Sequence, residues 1–131
     1  MYRYVEQENI DGVSRMTGGV TRKSLDAMRK HLHKIRTPHK VVGYVYRDRV
    51  GIAHAAVKVE GSHGTIRFGG FLWGYGGTGP CGLNELFAHL GIQVDARSLS
   101  QAPDFSPQSE GVYWVAQIDV FGQWAMSVKK K

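Results

Sequence analysis

The chain has 131 residues, of which 42% are hydrophobic and 21% are charged. These proportions are typical of a globular domain, and the length predicts a single domain, residues 1–131, with its own core. No apolar run approaches the about 18 residues of a membrane-spanning helix, and the first residues lack the apolar region of a secretory signal. A single cysteine, Cys81, excludes an internal disulfide. We therefore expect a cytoplasmic protein with no membrane partner.

The charge balance favours an anionic partner. Lysine and arginine number 17 against 11 aspartate and glutamate residues, which gives a formal net charge of +6. A basic surplus of this kind suits nucleic acid, a nucleotide or another acidic molecule. Residues 129–131 form a basic tail of three lysines that supplies half of the surplus.

The N-terminal part predicts a short edge strand and a basic helix. Residues 2–7 alternate weakly, and residues 9–19 are rich in turn formers. Thr21 is placed to cap a helix over residues 22–36, whose buried stripe is Leu25, Met28, Leu32 and Ile35. Another face carries Arg22, Arg29, His33 and Arg36. Such a face is either solvated or meets phosphates.

The rest of the chain predicts an α+β fold. Strand patterns cover residues 41–46, 52–60, 65–73, 112–121 and 123–128. Because strands and helices do not alternate regularly, we expect an antiparallel sheet of about five or six strands with two helices. Residues 95–111 form a long polar loop, and Arg97 is its only basic residue.

A glycine-rich segment joins the central strand to the second helix. It reads F-L-W-G-Y-G-G-T-G-P from Phe71 to Pro80, and an apolar helical stripe of Leu83, Leu86, Phe87 and Leu90 follows it. Gly91 is placed to end this helix in a left-handed conformation. Glycines let a phosphate approach the free N–H groups of a helix N-terminus, and aromatic rings can face a base. The alternative is that the glycines only turn the chain and the aromatics fill the core. The lysine of a Walker A loop and the G-x-G-x-x-G pattern are both absent.

No catalytic or metal-binding pattern is recognisable. His31 and His33 point in diverging directions on a helix, so a shared metal ion is not expected. Cys81 lies at a helix start, but His89 is about 12 Å along the same axis, too far for a direct hydrogen bond. We expect Cys81 to be a packing residue, and we expect no cofactor, no metal and no enzymatic activity.

The segment from Phe71 to Pro80 resembles a W-G-Y-x-G-[ST]-G-P signature of small phage and plasmid domains. It also resembles the phage-encoded Thoeris anti-defence proteins of the first type. That resemblance implies a viral anti-defence protein that sequesters glycocyclic ADP-ribose signals without cleaving them. It further implies homo-oligomers, dimers or hexamers, with a second site for cyclic oligonucleotides.

The resemblance also assigns residues. It implies base stacking on Phe71, with Trp73 next, and phosphate contacts from Arg97 and Arg47. From the loop itself we add Tyr75 and Gly77 to this ligand-binding set. The resemblance matches the second site to Thr78 and Gly79, with Arg22 as the helix arginine. Pro80 departs from the pattern, since a polar residue is expected there in members that contact the base.

Two other functions remain open on the residues alone. A nucleic-acid-binding factor would use the basic helix face with Arg22, Arg29 and Arg36. A protein inhibitor of a host defence complex would dock through Trp73, Tyr75 and Trp124. Steep salt dependence would distinguish the first of these from nucleotide sequestration.

Overall fold

The computed structural model describes residues 1–6, 19–99 and 102–129. Six strands and two α-helices form an α+β domain in these ranges, which confirms the predicted fold class. The strands are β1 (Tyr2–Val5), β2 (Pro38–Arg47), β3 (Ala53–Gly61), β4 (Gly64–Phe68), β5 (Gly111–Ile118) and β6 (Trp124–Val128); the helices are α1 (Gly19–His31) and α2 (Thr78–Leu90). Most of the predicted turn region 9–19, and residues 130–131 of the basic tail, lie outside the described ranges.

The strands form one sheet in the order β1-β4-β3-β2-β5-β6. Every neighbouring pair is antiparallel except β1 and β4, which run parallel with Tyr2 opposite Gly64. The sheet is therefore mixed, whereas we predicted an antiparallel one. The difference lies at one edge of the sheet, where β1 pairs with β4 and runs parallel to it.

Both helices cover the same face of the sheet. Register aligns Tyr4, Ile66, Val59, Val41 and Ala116 in one row across five strands, and the last four have no exposed surface. At one end of the face, His31 of α1 stacks on Tyr4 with ring centroids 4.1 Å apart. On β5, Phe87 of α2 meets the Trp114 ring edge to face at 5.5 Å.

Helix α1 begins earlier than the sequence predicted. Its first residue is Gly19, so Thr21 lies inside the helix and its hydroxyl donates to the Gly70 carbonyl at 2.9 Å instead of capping. The predicted apolar stripe is confirmed for Met28, Leu32 and Ile35, which are buried. The last two belong to a single 3-10 segment, Leu32–Ile35, that follows α1.

Helix α2 ends as predicted. Gly91 adopts a left-handed conformation with φ of 86°, and the N–H of Ile92 donates to the Phe87 carbonyl at 2.8 Å. This hydrogen bonding is typical of a Schellman-type helix end. Glycine is favoured at its left-handed position because a Cβ penalises that conformation. Neither this helix nor α1 is long and apolar enough to cross a membrane.

Candidate functional site

The aromatic residues that precede the glycine loop are core residues. Strand β4 ends at Phe68, five residues earlier than predicted, and the residues that follow it contact both helices. Phe71 has no exposed surface and lies 5.0 Å from the Phe68 ring. Trp73 is 1% exposed and contacts Trp114 edge to face at 5.6 Å.

The expected base-stacking rings therefore have no face that a ligand reaches in this structure. A base would reach Phe71 only if the segment opened, because that ring also lies against α2. A Cβ at Gly82 would meet Phe71 Cδ1 at 3.1 Å. These two rings instead anchor the loop to the core, as the alternative interpretation of the sequence described.

Tyr75 is the aromatic residue of the loop that remains accessible, at 39% exposure. Its ring lies across the start of α2: a Cβ at Gly77 would approach Tyr75 Cε2 to 2.8 Å, and one at Gly79 would approach its hydroxyl to 3.2 Å. Partial burial raises the pKa of the Tyr75 phenol. The ring can lie there because glycine occupies both positions.

The first turn of α2 lies beside this ring. Gly77 is the capping residue, and no side chain caps the helix. The N–H of Cys81 donates to the Gly77 carbonyl at 3.1 Å, and Pro80 has no N–H to offer. The N–H groups of Thr78 and Gly79 have no partner within the helix, as at any helix start. A Cβ at Gly76 would meet nothing within 4 Å, so the loop is open on that side.

Arg97 is held beside the first turns of α2. Asp95 caps the short 3-10 segment Ala96–Ser98, and its carboxylate binds Arg97 through Nε at 3.1 Å and Nη2 at 2.9 Å. Asn84 of α2 donates to the same carboxylate at 3.0 Å and accepts from the Ala96 N–H at 2.7 Å. The loop is attached too, since the Gly74 N–H donates to the Ala96 carbonyl at 2.9 Å.

The pKa shifts of Asp95 and Arg97 are consistent with this ion pair. Hydrogen bonds from Arg97 and then from Asn84 lower the pKa of the Asp95 carboxyl. The ion pair with Asp95 raises the pKa of Arg97, with a smaller contribution from the nearby Cys81. Arg97 keeps 57% of its side chain exposed. It is thus an accessible cation that already shares one carboxylate.

The structure does not bring Arg47 to this site. Its Nε pairs with Glu110 at 2.9 Å, and its other two nitrogens donate to the carbonyls of Gly51 at 2.6 Å and Phe105 at 3.0 Å. Arg47 therefore fastens the polar loop to the β2–β3 hairpin. Its donors are committed to the protein itself.

Arg22 lies closer to the glycine segment. It is exposed in the first turns of α1, directly after Thr21. The Thr21 methyl is 2.5 Å from where a Cβ of Gly82 would stand, so the starts of the two helices touch.

Arg29, farther along α1, lies near two carboxylates, Asp26 at 3.3 Å and Glu85 at 3.8 Å. Those carboxylates reduce the positive potential of the helix face on which the nucleic-acid alternative depends.

A buried polar cluster at the end of β4 was not predicted from the sequence. The buried Glu6 carboxylate accepts from the Ser24 hydroxyl at 2.9 Å and from the Gly69 N–H at 3.0 Å. The Ser24 oxygen in turn accepts from the Gly70 N–H at 2.8 Å. Burial raises the pKa of Glu6, and these hydrogen bonds oppose that shift. The partners are far apart in the chain, so no local spacing reveals them.

Among the residues that the structure describes, no three histidine, cysteine, aspartate or glutamate side chains are grouped to hold a metal ion. The candidate site consists of a glycine loop with the accessible Tyr75 ring, the N-terminus of α2 and the accessible Arg97.

Comparison of the chain with protein-family models, curated proteins and solved structures found no match in any of the three.

Proposed function

We propose that this protein binds a cyclic nucleotide immune signal of the glycocyclic ADP-ribose class and sequesters it without cleavage. The observation that supports this function is the convergence of Tyr75, the glycine loop and Arg97 at the start of α2. In this proposal the protein is a phage-type anti-defence factor that acts in the host cytoplasm. It requires no cofactor.

Each part of the site has a chemical role in the proposal. A helix N-terminus favours negative charge, so a phosphate binds near the N–H groups of Thr78 and Gly79. Arg97 supplies a charge-assisted hydrogen bond to the same ligand. The exposed face of Tyr75 supplies the stack for a base. Tyr75 thus takes the role that the resemblance implies for Phe71.

The remaining features of the proposal rest on the resemblance. The protein forms dimers or hexamers, and Thr78 and Gly79 with Arg22 bind a cyclic oligonucleotide at a second site. The contact between the helix starts brings the segment that carries Arg22 near α2 within one chain. Subunit association then completes that second site.

The test is calorimetric titration of the purified protein with glycocyclic ADP-ribose. We expect binding of the parent, with affinity at least about fivefold weaker for Tyr75→Ala, because a base–aromatic stack contributes about 1–3 kcal/mol. Tyr75→Phe should bind as the parent does. Lys30→Ala, an exposed change on α1, should also bind as the parent does.

Sequestration without cleavage is tested on the same complex. Heating the loaded protein should release the intact cyclic molecule, identified by mass spectrometry. Release of linear ADP-ribose would show turnover and contradict the proposal. Equal binding by the parent and Tyr75→Ala would remove the assigned site.

A further inference from the structure

A groove follows the C-terminal ends of the two helices. One cavity, of about 350 Å³, lies where the 3-10 segment after α1 meets the end of α2 and strands β5 and β6. A second, of about 560 Å³, lies between α1 and α2. Leu32, His33 and His89 line both cavities, so the two adjoin. The smaller cavity has the volume of a small-molecule pocket. We call the two cavities together the C-terminal groove.

Apolar side chains and one indole ring line the smaller cavity. Leu32 is buried there, and Leu90 and Ile118 are partly buried. Trp124 is also partly buried, and its Nε1 donates to the Leu90 carbonyl at 2.9 Å. This hydrogen bond holds the indole against the end of α2. The ring of an aromatic ligand can pack against such a side chain.

Three basic side chains complete the lining of the smaller cavity: His33, Arg36 and His89. All three are exposed, and within the described ranges none of these side chains has a hydrogen bond or an ion pair. Arg29 of the larger cavity differs from them, because Asp26 and Glu85 lie near it. The guanidinium of Arg36 is therefore the positive charge of the groove that no described carboxylate compensates.

The helix ends do not require these basic groups. Cations near a helix C-terminus can satisfy its last carbonyls. At the end of α2, however, the carbonyls of Phe87 and Ala88 accept from backbone N–H groups, and that of Leu90 accepts from Trp124. The Ile35 carbonyl, which ends the 3-10 segment, also accepts from a backbone N–H at 2.9 Å. The basic side chains thus remain available to a ligand.

The backbone of Arg36 is strained. Its φ of 69° and ψ of −103° make it the one residue other than glycine with a positive φ in the described part of the chain. A residue with a Cβ adopts this conformation at a cost, whereas glycine does not. Strained residues are concentrated at ligand-binding and active sites. The turn alone favours glycine, so an arginine at this position indicates a function of its side chain.

We propose that the C-terminal groove binds a small aromatic carboxylate, with the carboxylate on Arg36 and the aromatic body against Trp124 and Leu32. Arginine recognises a carboxylate through two parallel hydrogen bonds, and an imidazole N–H of His33 or His89 can donate another. One uncompensated guanidinium matches one negative charge. Two helix C-termini and the Glu85 carboxylate disfavour a polyanion such as nucleic acid. This site and its ligand are distinct from the nucleotide site at the start of α2.

NMR titration of nitrogen-labelled protein with naphthoate tests the proposal, and naphthamide supplies the same rings without the charge. We expect naphthoate to bind at least about fivefold more tightly, because a charge-assisted hydrogen bond is about twice as strong as a neutral one. The indole N–H signal of Trp124, identified by its loss in Trp124→Phe, should shift on titration. The signals of the buried Trp73 and Trp114 should stay in place.

Two variants of Arg36 separate its side chain from its backbone. Arg36→Gln should weaken naphthoate binding at least about fivefold and leave naphthamide binding unchanged. Arg36→Gly removes the same guanidinium and relieves the strain, so it should weaken binding equally without lowering the urea midpoint of unfolding. Arg49→Gln, in the turn beyond the other end of β2, is the matched control for loss of one exposed arginine and should bind as the parent does.

The proposal is overturned if naphthoate does not bind, if naphthoate and naphthamide bind equally, or if Arg49→Gln weakens binding as much as Arg36→Gln. It is also overturned if Arg36→Gln dissociates an oligomer of the parent in sedimentation, because the groove is then a subunit interface. Glycocyclic ADP-ribose binding by Arg36→Gln should equal that of the parent, and Tyr75→Ala should bind naphthoate normally. Failure of this groove and failure of the nucleotide site are therefore separate results.

Discussion

Arg97 and Asp95 form a two-pronged ion pair beside the first turns of α2, with the shortest contact at 2.9 Å. The same Asp95 carboxylate also accepts from Asn84, so the arginine is fixed in position by a group that repels a phosphate. This pair positions the cation and weakens its attraction for an anion at the same time.

Removing the charge of Asp95 should therefore tighten nucleotide binding. Asp95→Asn keeps an oxygen that can cap the 3-10 segment but no longer competes with the phosphate. We expect about twofold to fivefold tighter binding, the scale of exposed charge pairs, while Arg97→Ala should weaken binding at least about fivefold. Titration calorimetry measures both. Asp26→Asn, which removes one of the two carboxylates near Arg29, is the matched control and should change nothing.

Phe71 should behave as a core residue. Its ring has no exposed surface, so Phe71→Ala should lower the free energy of unfolding by about 3–5 kcal/mol in urea titrations. Phe71→Leu, which fills most of the space, should lose much less stability and bind glycocyclic ADP-ribose as the parent does. If Phe71→Ala is as stable as the parent yet loses the nucleotide, the ring contacts ligand and the loop opens in solution.

Gly43 and Gly76 offer a matched pair of substitutions. A Cβ at Gly43 would lie 2.2 Å from Trp114 Cε2 in the core, whereas one at Gly76 would meet nothing within 4 Å. Gly43→Ala should therefore cost about 1–3 kcal/mol of stability from overpacking. Gly76→Ala should keep the stability of the parent but weaken nucleotide binding, because its methyl group stands where a phosphate approaches. Equal stability of the two variants would contradict the packing described for Trp114.

Glu6 should make stability depend on pH. Burial raises its pKa above the ordinary 4.5, so the folded state holds the proton more tightly than the unfolded state. The stabilisation is fully present below about pH 4.5 and is lost as the pH rises through the raised pKa. Glu6→Gln, which keeps an acceptor for Ser24, should remove this decline. Urea unfolding from about pH 4 to pH 7 measures it, and the exposed Glu85→Gln is the control whose curve should run parallel to that of the parent.

Parts of this architecture were predictable because local chemistry determines them. Gly91 after an apolar stripe predicted the end of α2, and Leu32 with Ile35 predicted the buried side of the first helix. The parallel pairing of β1 was not predictable, because four weakly alternating residues do not reveal which edge they join. Phe71 was misplaced for a related reason: apolar and glycine residues surround it, so no polar alternation shows which face is buried.

The candidate site was predictable only in part. Tyr75, Gly77 and Thr78 are close in sequence, and their proximity follows from the chain itself. Arg97 joins them through Asn84 and Asp95, and only the fold supplies those contacts. Arg47 is the opposite case: it was expected at the site but pairs with Glu110 instead. The path of the polar loop that carries Glu110 is not specified by the sequence, so this ion pair could not be predicted.

The position of β1 has a consequence for the order of folding. Strands β2, β3 and β4 follow one another through short turns, so their contacts close small loops and form at little entropic cost. Strand β1 pairs with β4 across the whole first helix and the meander, with Tyr2 opposite Gly64. It adds to an edge that must already exist. Strand β1 is therefore expected to pair only after the meander that follows it in the chain has formed, so its contacts contribute to the folded state and little to the first stage of folding.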